Sequence, residues 1–340
     1  MPRPWRWNIF ERVGENSSVV TPDKIPDRIL VAIGGHATHP EDIEGTSAEQ
    51  KAIAANTAQA LLPLAMCNNE LVITHGNGPV VGKILLRQAL TRDRIAPMPL
   101  DICVAHSQGG IAYLLMQALE NALRQADNPR HVACLLTQVE VDGDDKDFEN
   151  PSKPVGPYFD AEEAERLSQE LGWLMKEETG RGWRIVVPSP HPKHICDISL
   201  VQVLTCRGTV VIAGGGGGIP VVRGPKGVRH GVQAVIDKDL TSAHMANVLG
   251  IGFLVILTAV PKVAIHYGTP AAEEIDRVDI HELRTLQTEG HFASGSMGPK
   301  INAALRFLEG GGERVIITHM DHLMPAVRGE AGTHITAGNE

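Results

Sequence analysis

The strongest constraint on this chain is a recurring punctuation: short apolar runs break off into glycine-rich turns, and helical patterns follow them. Residues 29–33 run into Gly34-Gly35-His36, and residues 71–74 into His75-Gly76-Asn77-Gly78-Pro79. Residues 209–213 run into five consecutive glycines, Gly214, Gly215, Gly216, Gly217 and Gly218. Residues 253–258 and 314–318 read as further strands. Helical patterns lie between them. One begins near Ser47, with Gln50 placed to complete a capping box, and runs towards Cys67. Others cover residues 80–90, 109–124, 161–170, 240–249 and 299–308. Strands alternating with helices predict an α/β protein whose mostly parallel sheet is covered on both faces. Ligands of such sheets bind beyond the carboxyl ends of the strands, where these glycines fall.

Composition narrows the function classes. The 340 residues suffice for one large α/β domain or two modest lobes. At 43% hydrophobic and 21% charged, the chain is neither disordered nor collagen-like, and 4% aromatics leave the core to aliphatic side chains. Its 35 glycines and 22 prolines must serve turns. A net charge of −9 argues against general binding to nucleic acid or a membrane surface, so small molecules are the expected partners. An anionic substrate would then need a local basic patch. Five cysteines without a CxxC pair fit reduced thiols in a cytoplasmic protein. The longest uncharged apolar stretch, residues 248–261, is too short to span a bilayer. Residues 1–26 read as a polar leader without the apolar segment of a signal peptide. Residues 140–192 are acidic first and proline-rich later, an excursion from the sheet.

Several motifs invite a chemical reading. The turn from Gly76 to Lys83 approaches a P-loop, but its spacing is one residue too long and Ile84 stands where Ser or Thr is needed. The five-glycine run lacks the third glycine of a dinucleotide fingerprint, because Ile219 occupies that place. Ala105-His106-Ser107-Gln108-Gly109-Gly110 reads either as a nucleophile elbow, with His319 or His322 downstream, or as a plain Ser–Gly helix start. The 15 histidines include no HExxH, and prolines break up the His191/His194 pair. The acidic cluster Asp142, Asp144, Asp145 and Asp147 lacks EF-hand spacing and reads as a solvated loop. No protein-held metal site is expected. The remaining constellation is lysines beside glycines: Lys238 between Asp237 and Asp239, Lys300 after Gly298-Pro299, and Lys153 in a proline-rich turn. Each is either a surface charge or part of a clamp for phosphoryl transfer, where cations and backbone amides stabilise spread negative charge.

Long, ordered strings decide between these readings. THGNGPVVG from Thr74, SQGGIAY from Ser107, LLTQVEVD from Leu135 and NPSKPVGPYF from Asn150 are followed by VVPSPHP from Val186. GGGGIPVV from Gly215, VIDKDL from Val235 and GSMGPK from Gly295 complete the series. Together they resemble the carbamate kinase branch of the amino acid kinase family, over about residues 29–335.

The resemblance implies an open three-layer αβα sandwich in two lobes with a small protruding subdomain, assembled as a homodimer. It implies reversible phosphoryl transfer between ATP and carbamate, with ADP and carbamoyl phosphate on the other side and Mg2+ carried on the nucleotide phosphates. Residues 27–206 would bind the carbamate or acyl phosphate, including the protruding region at 140–192. Residues 207–340 would bind the nucleotide. The family's catalytic lysines fall on Lys238 and Lys300, its orienting carboxylate on Asp239, and the subdomain lysine on Lys153. Gly34, Gly35, His36, Gly76, Asn77 and Gly78 would cradle the transferred group. Gly214, Gly215, Gly216, Gly217, Tyr267, Met297 and Lys300 would lie near the nucleotide. The SQG string is structural in that family. The chain departs from the pattern at His36 (normally Asn), Val80 (Gln), Gln233 (Glu) and Thr269 (Lys), which touches acceptor choice more than reaction class. A kinase for a related small carboxylate or carbamate is the alternative within the class. A non-catalytic binding protein on the same scaffold is the alternative outside it.

Overall fold

Successive side chains of a strand point to opposite faces, so a strand apolar at every position needs a core on each side. Arg28–Ile33 is such a strand in the computed structural model, which describes residues 25–40, 43–178, 180–292 and 297–338. Leu30 and Ala32 pack in one core with Val72, Leu254, Ile256, Val315 and Ile317. Ile29, Val31 and Ile33 pack in the other with Leu71, Ile73, Val255, Leu257 and Ile316. Helices Lys238–Leu249 and Met297–Glu309 cover the first face, and Ser47–Ala65 and Leu100–Gln125 the second. Each aliphatic side chain enclosed this way contributes about 1.5–3 kcal/mol.

The central sheet has eight strands, ordered Arg277–Asp279, Thr333–Thr336, Arg314–His319, Phe253–Thr258, Arg28–Ile33, Glu70–His75, Val210–Ile212 and Val132–Cys134. All neighbours pair in parallel except Arg314–His319 with Thr333–Thr336. Arg28 links the bottom of this sheet to a helix end. Its guanidinium donates to the Leu249 and Gly250 carbonyls at 2.6 and 3.0 Å and to Glu70 at 3.0 Å. Those carbonyls are unpaired groups at a helix C-terminus, so the bond anchors Lys238–Leu249 there. Its N-terminus, with Lys238 and Asp239, is thereby delivered to the carboxyl ends of the strands.

Two local expectations shift. The capping box before the Ser47–Ala65 helix is built one residue earlier than Ser47/Gln50. Thr46 Oγ1 accepts from the Glu49 amide at 3.3 Å and Glu49 Oε2 accepts from the Thr46 amide at 2.8 Å. The helix predicted at 109–124 begins at Leu100, so Ser107 stands in its middle and not on an elbow. Its hydroxyl is 1% exposed and donates to the Val104 carbonyl, which leaves no nucleophile. Among the described residues, no helix is long and apolar enough to cross a membrane.

The proline-rich excursion leaves and returns through Gln138–Val141 and Pro192–Ile195, paired antiparallel in a separate four-stranded sheet. It carries a three-stranded antiparallel sheet, Lys153–Phe159, Gly182–Val187 and Met175–Glu178, with the helix Ala161–Leu171. The acidic cluster is no free loop. Asp145 accepts from the Asp147 and His191 amides at 3.0 Å each, Asp147 accepts from Ser152 and the Ser189 amide, and Asp142 pairs with Lys193. These carboxylates close the base of the excursion. Val155, Ile185 and Val187 then pack on Val81, Leu100 and Val104.

Gly82 permits this contact: a Cβ there would lie 2.0 Å from Gly156 Cα, whose own φ is +80°. Gly82→Ala therefore sets two effects against each other. Helix propensity gains about 1 kcal/mol, but the backbone collision cannot be relieved by a rotamer. The substitution is expected to lower stability by about 1–3 kcal/mol net, measured by urea denaturation.

Candidate active site

The glycine turns meet at the carboxyl edge of the sheet. A Cβ on Gly34 would lie 2.8 Å from the Leu257 carbonyl, so this turn presses on the neighbouring strand. One on Gly76 would lie 3.1 Å from the Gly35 nitrogen and 3.5 Å from Lys238 Cδ. Gly35, Gly76 and the Lys238 stem are thus one contact. The five-glycine run packs behind them: a Cβ on Gly215 would collide with His75, and one on Gly216 with Asn77. Gly214, Gly215, Gly216 and Gly217 are buried, and Gly216 has φ +66°. Their lack of side chains first makes room for His75 and Asn77.

Buried polar side chains lock the turns together. Asn77 Nδ2 donates to Ser107 Oγ at 2.8 Å, and Asn77 precedes the helix Gly78–Thr91. Gln108 donates to the Gly215 carbonyl and accepts from the Thr137 amide, both at 2.7 Å. Thr137 Oγ1 accepts from the Gly214 amide, and Thr241 Oγ1 donates to the Gly217 carbonyl. Ser242 Oγ donates to the Lys238 carbonyl, which leaves Thr74 Oγ1 to donate to Ser242 Oγ, each at 2.6 Å. Of this network, the motifs mark Asn77 as a site residue and Ser107 and Gln108, through the SQG string, as structural ones. Thr137 falls within the LLTQVEVD string, whereas Thr241 and Ser242 are isolated polar positions that no local pattern singles out.

The charged groups sit over these turns. Asp239 is 3% exposed; Lys238 Nζ bonds one of its carboxylate oxygens, and Lys300 Nζ lies 3.6 Å from the other. Lys238 is 8% exposed, and burial pushes its ammonium below the ordinary lysine value, Asp239 opposing and Lys300 reinforcing the shift. Lys153, from the excursion, donates to Asp237 Oδ2 at 2.8 Å. Burial by itself would raise the Asp237 carboxyl, but Lys153, Lys238 and Lys300 hold it well below the usual carboxylate range. Lys153, Lys238, Asp239 and Lys300 are therefore brought into one cluster, together with Asp237. Met297 opens the helix that carries Lys300, and Tyr267 is 72% exposed on a turn after the Val263–Ile265 strand. The His36 side chain, like Gly295 and Ser296 of the GSMGPK string, lies outside the described residues.

Cations facing backbone amides and helix N-termini suit the transfer of a phosphoryl group, and the class this arrangement defines is an α/β phosphotransferase. The sequence model of the amino acid kinase family matches residues 27–319, and the chain belongs to that family. It is 43% identical over 310 residues to the carbamate kinase of Pyrococcus furiosus, covering 91% of this chain and 98% of that one. It is 44% identical to a carbamate kinase-like protein of Escherichia coli, covering 90% of this chain and 98% of that one. Among solved structures, carbamate kinase from Giardia lamblia bound to AMP-PNP superposes with a TM-score of 0.83 at 36% identity, covering 92% of this chain and 98% of that one.

His75 gives this site a pH signature. It is fully buried; Nδ1 lies 3.0 Å from the Gly76 carbonyl, which makes Nδ1–H the donor of a neutral ring. Burial lowers its pKa to about 4, against backbone groups of Gly76 and Gln108 and with help from Lys238. An unfolded histidine titrates near 6.5, so below that pH the unfolded chain binds the extra proton first. Stability from His75 is complete above pH about 6.5 and is lost as pH falls towards about 4. Urea unfolding is expected to show wild type losing up to about 3 kcal/mol more than His75→Gln across that window.

Proposed function

We propose that the protein is a carbamate kinase, transferring a phosphoryl group between ATP and carbamate. The observation that carries this is Asp239 held between Lys238 and Lys300 above the Gly34-Gly35 and Gly76 turns, at the carboxyl edge of the parallel sheet. In the ATP-forming direction, the bond between phosphorus and the carbamate oxygen of carbamoyl phosphate breaks. A new bond forms to a β-phosphate oxygen of ADP, and carbamate leaves. The charge that spreads over the transferring oxygens is met by the two ammonium groups, and amides of Gly35 and Gly78 supply hydrogen bonds. Asp239 keeps the ammoniums apart and aimed. Lys153 reaches in from the excursion to the acyl-phosphate side.

The lobes divide the ligands in this reading: residues 27–206 take the carbamate side, through Gly34, Gly35, His36, Gly76, Asn77 and Gly78. Residues 207–340 take the nucleotide, through the Gly214–Gly217 turn, Tyr267, Met297 and Lys300. The likeness to the AMP-PNP-bound Giardia enzyme supports ATP and ADP as the nucleotides. Both central carboxylates are engaged by lysines, so Mg2+ would enter on the nucleotide's phosphate oxygens, where it neutralises charge. A cytoplasmic homodimer belongs to the same reading and rests on the family likeness.

Val80 and His36 favour a second reading, phosphorylation of a related small carboxylate or carbamate. Val80 stands in the first turn of the helix above Asn77 and cannot hydrogen-bond through its side chain, where the family's Gln could.

The deciding assay measures ATP from ADP with carbamoyl phosphate, beside acetyl phosphate and other acyl phosphates. Carbamoyl phosphate is expected to be the best donor; a larger kcat/KM with another acyl phosphate would establish the second reading. Lys238→Met and Lys300→Ala are each expected to lower kcat by about 100-fold or more, with a smaller change in KM for ADP. Thermal melts check that both variants are folded.

A further inference from the structure

Asp237 does two jobs with two oxygens. Oδ1 caps the helix Lys238–Leu249, accepting from the Asp239 and Leu240 amides at 2.8 and 3.3 Å. An N-cap needs only one acceptor atom. Oδ2 is left for a second partner, and takes the Lys153 ammonium at 2.8 Å from the first residue of the strand Lys153–Phe159. The two side chains are 20% and 17% exposed, so solvent screens this bond only in part. The carboxylate therefore joins the protruding subdomain to the helix that presents Lys238 and Asp239.

We propose that Asp237 is a positioning residue for phosphoryl transfer: it sets the Lys153 ammonium over the site and latches the protruding subdomain to the catalytic helix. Three like charges explain why such a residue is needed. Lys153, Lys238 and Lys300 converge on one end of one helix, and the carboxylates of Asp237 and Asp239 stand between them. Without Asp237, Lys153 would be repelled outward with the strand that bears it. The excursion's other ties include the packing of Val155, Ile185 and Val187 on Val81, Leu100 and Val104, the Gly82–Gly156 contact and the carboxylate staples at its base. None of these fixes the Lys153 head group. The proposal rests on the phosphotransferase reading for its kinetic consequence and is independent of it for the latch.

Asp237→Asn separates the two jobs. Asparagine caps a helix as well as aspartate does, but its charge is gone and Lys153 loses its anionic partner. The first measurement is limited proteolysis of the ligand-free protein, following cleavage within residues 142–191. Cleavage is expected to run about five-fold faster or more in Asp237→Asn, while the thermal midpoint stays close to wild type. Asp237→Ser, which also retains the cap, is expected to match it. The second measurement is a double-mutant cycle with Lys153→Met, read as kcat/KM for the acyl phosphate. Asp237→Asn is expected to lower kcat/KM by about 10-fold in the wild-type background and by less than about 2-fold where Lys153 is already gone. Equal losses in both backgrounds, or wild-type cleavage and turnover in Asp237→Asn, would overturn the proposal. Should wild type transfer no phosphoryl group from any acyl phosphate, the functional reading fails, and the cleavage comparison still decides the latch.

Discussion

The structure depends on keeping three ammonium groups together without letting them repel the site open. Two unit charges 4 Å apart interact by about 4 kcal/mol at an effective dielectric of about 20, enough to open a segment that packs on the body through few contacts. Asp237 and Asp239 interleave with Lys153, Lys238 and Lys300, so each cation touches an anion. With all five side chains ionised, three cations against two carboxylates leave one net positive charge. Lys238 is the most buried of the three, and Asp239 opposes the downward push that burial exerts on its ammonium.

The surrounding fold delivers those charges. Arg28 pins the C-terminus of the helix Lys238–Leu249 to the lower edge of the sheet, and the Thr74–Ser242 pair ties its first turns to the Glu70–His75 strand. Two-sided packing leaves the strands no freedom to slip, because a one-residue shift would exchange the contents of the two cores. The glycine turns serve rigidity as much as ligand access. His75 and Asn77 fill the space that Gly215 and Gly216 leave, and Gln108 and Thr137 hold the peptide groups between them. Peptide groups held in this way need not reorganise when charge develops beside them.

The protruding subdomain belongs to a different regime. Its contacts with the body include a small apolar cluster, one glycine–glycine contact, the Lys153–Asp237 bond and the Val235 amide donating to the Pro188 carbonyl at 2.9 Å. It joins the rest of the chain through a single antiparallel strand pair at its base. Units with few buried contacts open at lower free energy than the core. A lysine carried on such a unit is held less firmly than Lys238, whose helix packs into the core.

The alternation of aliphatic runs, glycine turns and helical patterns determined the layered parallel sheet, because period and punctuation are local properties of the chain. The strings around Asn77, Lys153, Lys238 and Lys300 likewise marked the residues that stand together in the fold. Other features were decided only in three dimensions. The acidic residues 142–147 read as a solvated loop because their partners, His191, Ser189 and Lys193, lie over 40 residues away. Ser107 reads equally as an elbow or a helix start in one dimension; in three, the helix begins at Leu100 and buries the hydroxyl under Asn77. Asp237 is, along the chain, one half of a pair flanking a lysine. Its second partner, Lys153, is 84 positions earlier, and only the folding of the excursion back onto the helix makes the contact. Sequence patterns report what a residue does to its own few turns of chain; a charge acts through space, on whatever the tertiary structure brings within a few ångströms.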